Sequence, residues 1–260
     1  MGVNAKDHMS SMTYQTLLTE LDIHPVLVDI GASVAPPDVW SPIAGASVYV
    51  GFDPDQRELK TTGGDGFARS FIVNKAVTSD EGIDSLQFYF TKLPTCSSIL
   101  KPDTQSLSEY LFSDFFTIER EGRVPAITLN ALVDQLGLGR VDWIKTDSQG
   151  TDLRLIESLR PNLLQSVLAV DIEPGLIDAY QGEDLFIDAH RRLTGKGFWL
   201  SRRDVQGTAK MRQATFDRVR PLCNDIDLGG MVQAIRVTPG WVNARYLRTT
   251  RWLADMNADK

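Results

Sequence analysis

A doubly wound α/β fold is predicted by three features of this 260-residue chain. Short apolar or β-rich runs alternate with helical segments, the repetition that builds a mostly parallel sheet. Several runs are almost continuously apolar, as strands covered by helices on both faces must be. The first run, VLVDIG, stops at an acid and a glycine. Strands of open α/β sheets stop in this way where a ligand lies beyond their carboxyl ends.

Taken in order, the strand candidates are PVLVDI (25–30), SVYVGFD (47–53), SFIVNKAV (70–77), VDWIKTD (141–147), SVLAVDIEP (166–174), GFWLS (197–201) and MVQAIRV (231–237). TYQTLLTEL, TLNALVDQL, TDLRLIESL and EDLFIDAHRRL are the helices between them. In the last, Leu185, Ala189 and Leu193 recur every four residues and form one apolar stripe. Gly195 and Gly197 then stop that helix. Residues 1–25 read as a leader and a helix, and 26–240 as the main domain. Within it, 78–123 read as an insertion over the sheet edge and the substrate entrance, where, with the tail, substrate choice is expected: SLQFYFTK is an extra strand or half a hairpin, and the run that follows is aromatic without a period. Residues 241–260, with Trp241, Tyr246, Leu247, Trp252 and Leu253, read as an amphipathic helical tail that docks on the sheet or forms an oligomer contact.

Composition excludes several classes. A formal net charge of −7 leaves no electrostatic footprint for nucleic acid. No apolar run is long enough to cross a bilayer, so no membrane insertion is expected, and the N-terminus lacks the plan of a signal peptide. Cys96 and Cys223 stand far apart without a CxxC partner, which fits two free thiols in a reducing cytoplasm. His8, His24 and His190 have no metal-ligand spacing, and His190 sits on a helix. A metal is not expected.

The loop after the first strand decides the ligand class. A dinucleotide fingerprint needs three glycines from Gly31, and this chain has Gly31, Ser33 and Pro36. A pyrophosphate cradle and a nicotinamide cofactor are therefore not expected. Asp53 closes the second strand about twenty residues on, where an acid can accept hydrogen bonds from both ribose hydroxyls. A sugar reader without a phosphate cradle suits an adenosyl cofactor. Asp29 would suit the cationic amino-acid end of such a ligand.

VLVDIGASVA is similar to the VDIGANIG loop of FkbM-type methyltransferases, which use S-adenosyl-L-methionine. FDPD stands where that family has an acid and a proline, and CSSIL resembles its Ser-Ser loop. The most specific match is VPAITLNALVDQLGLGRVDWIKTDSQGTDLRLIESL, which resembles the family's helix start, apolar strand, Lys-x-Asp-x-Glu-Gly and second helix. SVLAVDIEP and the helix ending in GKGF continue it, so the resemblance covers most of residues 26–201. It implies a Rossmann-like class I methyltransferase sandwich: a mostly parallel seven-stranded sheet with helices on both faces. It also implies methylation of a sugar or specialised-metabolite hydroxyl. The cofactor residues it implies are Asp29, Gly31, Ala32, Ser33, Asp53, Asn74 and Ala76, the last two from a segment bordering the adenine. Three departures stand out: Ser33 for an asparagine, Ala35 for a glycine, and Gln149 for the glutamate of Lys-x-Asp-x-Glu-Gly. Gln149 keeps the hydrogen-bonding shape but cannot ionise. The exchange leaves open a non-catalytic binding protein on the same scaffold.

A hydroxyl acceptor needs its proton removed as the new bond forms. Asp147, at the end of VDWIKTD, is the first candidate; its alternative is capping the next helix, a task Thr151 could also perform. Lys145, two residues earlier, should face the same side and orient Asp147 or a substrate oxygen. Glu173 is the second candidate, its alternative being a turn acid before Pro174, and Asp171 could stand in for it. The acceptor, a small molecule or glycan, has no readable motif.

Overall fold

The computed structural model describes residues 13–32, 35–55, 57, 66–223, 230 and 237–258. Ser33 and most of the expected strand at 231–237 lie outside the described residues.

Helix α1 (Tyr14–Glu20) begins at Thr13, whose hydroxyl caps the Thr16 amide. It leads to β1 (Val26–Ile30), β2 (Val48–Phe52) and β3 (Arg69–Val73). Next come β4 (Ala76–Val77), β5 (Ser85–Thr91), the short α2 (Thr104–Leu107) and β6 (Ile118–Ile127). The second half is α3 (Leu129–Gln135), β7 (Trp143–Thr146), α4 (Asp152–Glu157), α5 (Pro161–Ser166) and β8 (Ala169–Ile172). It ends with α6 (Phe186–Gly195), β9 (Phe198–Thr208), α7 (Gln213–Val219), β10 (Thr238–Arg248) and α8 (Thr250–Ala258).

Among the described residues the main sheet has seven strands in the order β3-β2-β1-β7-β8-β10-β9. Only β10 runs against the others, antiparallel to both β8 and β9. The chain moves outward from β1 to β3 and then returns to lay β7 beside β1. Strand order therefore reverses between β1 and β7, and a crevice opens beyond their carboxyl ends.

One sheet face supplies the larger core. Val28, Val50, Ile144 and Val170 pack against Leu132, Ile156 and Leu193 from α3, α4 and α6. The opposite face differs from the expectation of helices on both sides. Its described cover over Leu27 and Tyr49 centres on Trp40, in a 3₁₀ turn, with Ile43 and Phe67 around it.

One expectation about the chain's organisation is corrected. Residues 238–248 are a strand, so the boundary drawn at 241 cuts through β10 and only 250–258 are helical. Val242, Ala244 and Tyr246 alternate inward, a period of two that wins because both flanks of this strand are paired. In the segment at 78–123, SLQFYFTK is a strand as expected: β5 and β6 pair antiparallel, with β4 on the other side of β6. Its aromatic residues Tyr110, Phe112 and Phe116 form a cluster with Cys96, Leu107 and Tyr180. No helix among the described residues is long and apolar enough to cross a membrane.

Candidate active site

The crevice is shaped first by Gly31, which follows β1 with φ +80°. A Cβ there would lie 2.2 Å from the Asp147 carbonyl oxygen, so only glycine fits. The Gly31 and Ala32 amides both donate to the Phe52 carbonyl, at 2.9 and 2.8 Å. The Asp147 amide donates to the Ile30 carbonyl at 2.9 Å. These bonds hold the ends of β1, β2 and β7 together.

Beyond β7 the chain must enter α4, and this turn decides the role of Asp147. Asp152 accepts from both the amide and the hydroxyl of Ser148, at 2.8 and 2.7 Å. Thr151, at the N-cap position, makes no side-chain cap bond. Neither Asp147 nor Thr151 caps the helix, and the Asp147 carboxylate is left to the crevice. Gln149 has φ +58°, in the left-handed region, and its amide donates to Asp147 Oδ1 at 2.6 Å. The Tyr180 hydroxyl lies 2.8 Å from both Gln149 Oε1 and the Cys96 carbonyl and shares its one proton between them. Ser98 Oγ donates to the Gln149 carbonyl at 2.7 Å.

Two chambers open from this turn. The first is a narrow cavity of about 70 Å³ between Gly31, Asp53, Ala76, Phe88, Ser97 and Asp147. The second, about 420 Å³, lies between Phe112, Phe116, Tyr180 and Trp241, with Asp147, Glu173 and Glu183 in its lining. Thr95, Asp147 and Gln149 line both, so the chambers meet there.

Charges around the junction are mostly negative. Burial pushes the Glu173 carboxyl up to about 9, helped by Asp147 and Asp152 and partly offset by Lys145 and a Trp241 hydrogen bond. Asp152 is pushed up to about 6 by its complete burial, against the pull of its Ser148 bonds. Glu183 rises to about 7 for the same reason, despite accepting the Ala179 and Tyr180 amides. The buried Cys96 thiol is held up near 12 by desolvation, with Asp147 adding to the rise.

The sequence-predicted residues fall into two groups. Gly31, Asp53, Ala76 and Asp147 line the first chamber, and Asp147 and Glu173 the second. Asp53 is 7% exposed, and its Oδ1 accepts the Asp55 amide at 2.8 Å. Pro36 and Pro37 line other hollows and do not appear in the first chamber's walls. Ala32 and Asn74 support from behind: Ala32 is buried, and Asn74 Nδ2 donates to the Asp53 carbonyl at 2.7 Å.

Asp29 and Lys145 require correction. They sit opposite each other in the β1–β7 register, and Lys145 Nζ lies 3.0 Å from Asp29 Oδ1. Asp29 also accepts from the Tyr49 hydroxyl at 3.1 Å and lines neither chamber. Burial outweighs both partners and raises its pKa, and a buried acid that lines neither chamber is not placed to meet a ligand's cationic end. Lys145 also donates to the Gly31 carbonyl at 3.3 Å. Burial opposes its charge, but Asp29, Asp147 and Glu173 outweigh that and hold its pKa above the ordinary lysine range. Lys145 is bonded to Asp29 and not to Asp147, although the Asp147 charge helps to hold the lysine protonated. Asp171 does not stand in for Glu173 either, since Arg245 and the Trp143 indole engage its oxygens at 2.7 and 2.8 Å.

Sequence reasoning missed Thr95, Tyr180 and Glu183, whereas Phe112, Phe115, Phe116 and Trp241 lie in the insertion and the tail. Tyr180 and Glu183 lie in a turn without periodicity, and only the chain's return past Cys96 makes them neighbours of Gln149. Among the described residues, no group of three or more His, Cys, Asp or Glu converges to hold a metal ion. The chain matches no family model and no curated protein.

Proposed function

We propose that this protein is an S-adenosyl-L-methionine-dependent methyltransferase that acts on a hydroxyl oxygen, on a sheet of the class I methyltransferase kind. The observation that carries this reading is the pair of chambers meeting at one carboxylate, beyond the strand ends where sheet order reverses. Transfer between two bound molecules requires two compartments and a narrow shared boundary. A reversed strand set between two parallel ones at one sheet edge agrees with this reading, as does the resemblance of the VDIGASVA and KTDSQG segments. The buried free thiol of Cys96 suits a reducing, cytoplasmic setting.

The first chamber fits the cofactor in chemistry. At Gly31 the close backbone approach leaves no room for a side chain. Asp53 offers a carboxylate at the end of β2 for ribose hydroxyls, while Phe52, Val77, Phe88 and Ile99 give an apolar lining suited to a purine. When bound, the cofactor supplies a methyl group on a positively charged sulfur leaving group.

The protein's own task is alignment and proton removal. Asp147, at the boundary, accepts the acceptor's hydroxyl proton. Gln149 fixes one Asp147 oxygen by its amide bond and leaves the other for the acceptor. Gln149 in place of glutamate does not dismantle the site, because only a neutral or donating side chain can bond the Asp147 carboxylate at 2.6 Å.

Calorimetric titration with S-adenosylhomocysteine tests the reading without an acceptor. We expect a dissociation constant of about 1–100 µM. Asp53→Ala should weaken it at least about tenfold, the loss of hydrogen bonds to a charged group. Absence of heat with the wild-type protein at millimolar ligand would sink the proposal.

A further inference from the structure

We propose that the second chamber takes an acceptor with a flat, ring-sized apolar body and a protonated amine, and not a bare sugar. This inference rests on the methyltransferase reading only in calling the bound molecule the acceptor; the chamber's chemistry stands apart from it.

The walls set the body of the ligand. Phe112, Phe115, Phe116, Tyr180 and Trp241 line the chamber, with Leu93 and Ile177 between them. Phe112 stands edge-on to Phe116 with centroids 5.2 Å apart, and 6.2 Å from Trp241; Phe116 stands edge-on to Tyr180 at 5.6 Å. These contacts fix the rings as a preformed slot.

A polyol needs many hydrogen-bond partners, and several of those in the lining are already engaged. The Gln149 amide bonds Asp147 and Tyr180, and the Tyr180 hydroxyl is shared between Gln149 and Cys96. Glu183 accepts the Ala179 and Tyr180 amides. A sugar would leave its hydroxyls unpaired in such a space.

Charge sets the remaining group. The lining includes Asp147, Glu173 and Glu183, and none of its described residues is a lysine or arginine. Lys145 is the nearest cation by its effect on Glu173, but it is committed to Asp29 and lies outside the chamber's lining. Three acids line a chamber walled by five rings, and Glu173, beside Trp241 and protonated in the empty chamber, ionises when an ammonium enters, so the site suits a cation that carries apolar surface. The cofactor's own positive sulfur does not meet this need. Glu173 and Glu183 line the second chamber and not the first, and only Asp147 belongs to both.

A matched ligand series tests the inference by Trp fluorescence or calorimetry, with activity set aside. Tyramine, tyrosol and 4-hydroxyphenylacetate share one ring and differ in carrying an ammonium, a hydroxyl or a carboxylate. Each is titrated with and without saturating S-adenosylhomocysteine, alongside methyl glucoside. We expect tyramine to bind at least about tenfold tighter than tyrosol, with the acid and the glucoside weaker still. Glu173→Gln, which keeps the shape but cannot ionise beside an ammonium, should bring tyramine down to the level of tyrosol. Trp241→Leu should weaken tyramine and tyrosol together, with folding checked by thermal melting. Equal binding of tyramine and tyrosol, a preference for the acid or the glucoside, or no tyramine binding at about 10 mM would overturn the inference. Homocysteine-ligand binding with no amine preference leaves the methyltransferase reading standing. Amine preference without that binding sinks only the reading.

Discussion

Gln149 holds a left-handed backbone, φ +58°, that costs a side-chain-bearing residue free energy and persists only where its surroundings compensate. Here the compensation is legible: Ser98 bonds its carbonyl, Tyr180 its amide oxygen and Asp147 its amide nitrogen. Gln149→Glu would set a second carboxylate 2.6 Å from the first. We expect a loss of about 1–2 kcal/mol in thermal melts at pH 8, largely recovered at pH 5, where the two can share a proton. Equal melting temperatures for variant and wild type at both pH values would show that the contact contributes nothing. Glu173 gives a second prediction at this scale. Its carboxyl titrates near 9 when folded, against an ordinary value of 4.5, so the folded state binds more protons than the unfolded one between these limits. The stability it contributes is present below pH 4.5 and is lost as pH rises toward 9. The charges that set this window are Asp147, Asp152 and Lys145, with Trp241 donating. Asp152 and Glu183, which also titrate high, remain in both proteins. Against Glu173→Gln, the wild-type melting temperature should fall from pH 5 to pH 9, and parallel curves would refute the assignment.

Elements position these residues through packing that local sequence specifies unevenly. Helix α6 shows the legible case: Ala189 and Leu193, four residues apart, are both 0% exposed and belong to the main core. Leu193→Ala should destabilise the fold by about 2–5 kcal/mol in urea unfolding, because the cavity it leaves is walled by other elements. A loss under about 0.5 kcal/mol would mean that the stripe is not buried as described. Strand β10 shows the opposite case. WVNARYLR carries enough long side chains to read as a helix face, and the alternation of Val242, Ala244 and Tyr246 was hidden by flanking aromatics. The Tyr246 hydroxyl meets His190 Nδ1 at 3.1 Å, a contact between β10 and α6 that no local pattern announces. Strands β5 and β6 were half legible: SLQFYFTK has strand character, whereas its partner IEREGRVPAI is mostly polar because one face meets solvent.

The whole molecule joins a sheet whose order reverses at β1 and β7 to a small three-stranded sheet and a turn at 177–183. The first supplies Gly31, Asp53 and Asp147, the ends of three parallel strands. Aromatic walls for the second chamber come from the other side: Phe112 and Phe116 from a 3₁₀ turn, Tyr180 from a turn after β8, Trp241 from β10. The boundary between the chambers is therefore an assembly of segments far apart in the chain. Tyr180 and Cys96 are 84 residues apart at their hydrogen bond, and Ser98 and Gln149 are 51 apart at theirs.

The amino-acid order alone was enough for the sheet's parallel strands, three of the residues at their ends and the covering helices, because each follows from a short apolar period and its stop signal. Only the tertiary structure decided that Asp29 is spent on Lys145, that Asp152 relieves Asp147 of capping, and that an aromatic, acid-bearing chamber lies beyond Gln149. Those outcomes depend on register between strands and on chain segments brought together from a distance, and no local spacing encodes either.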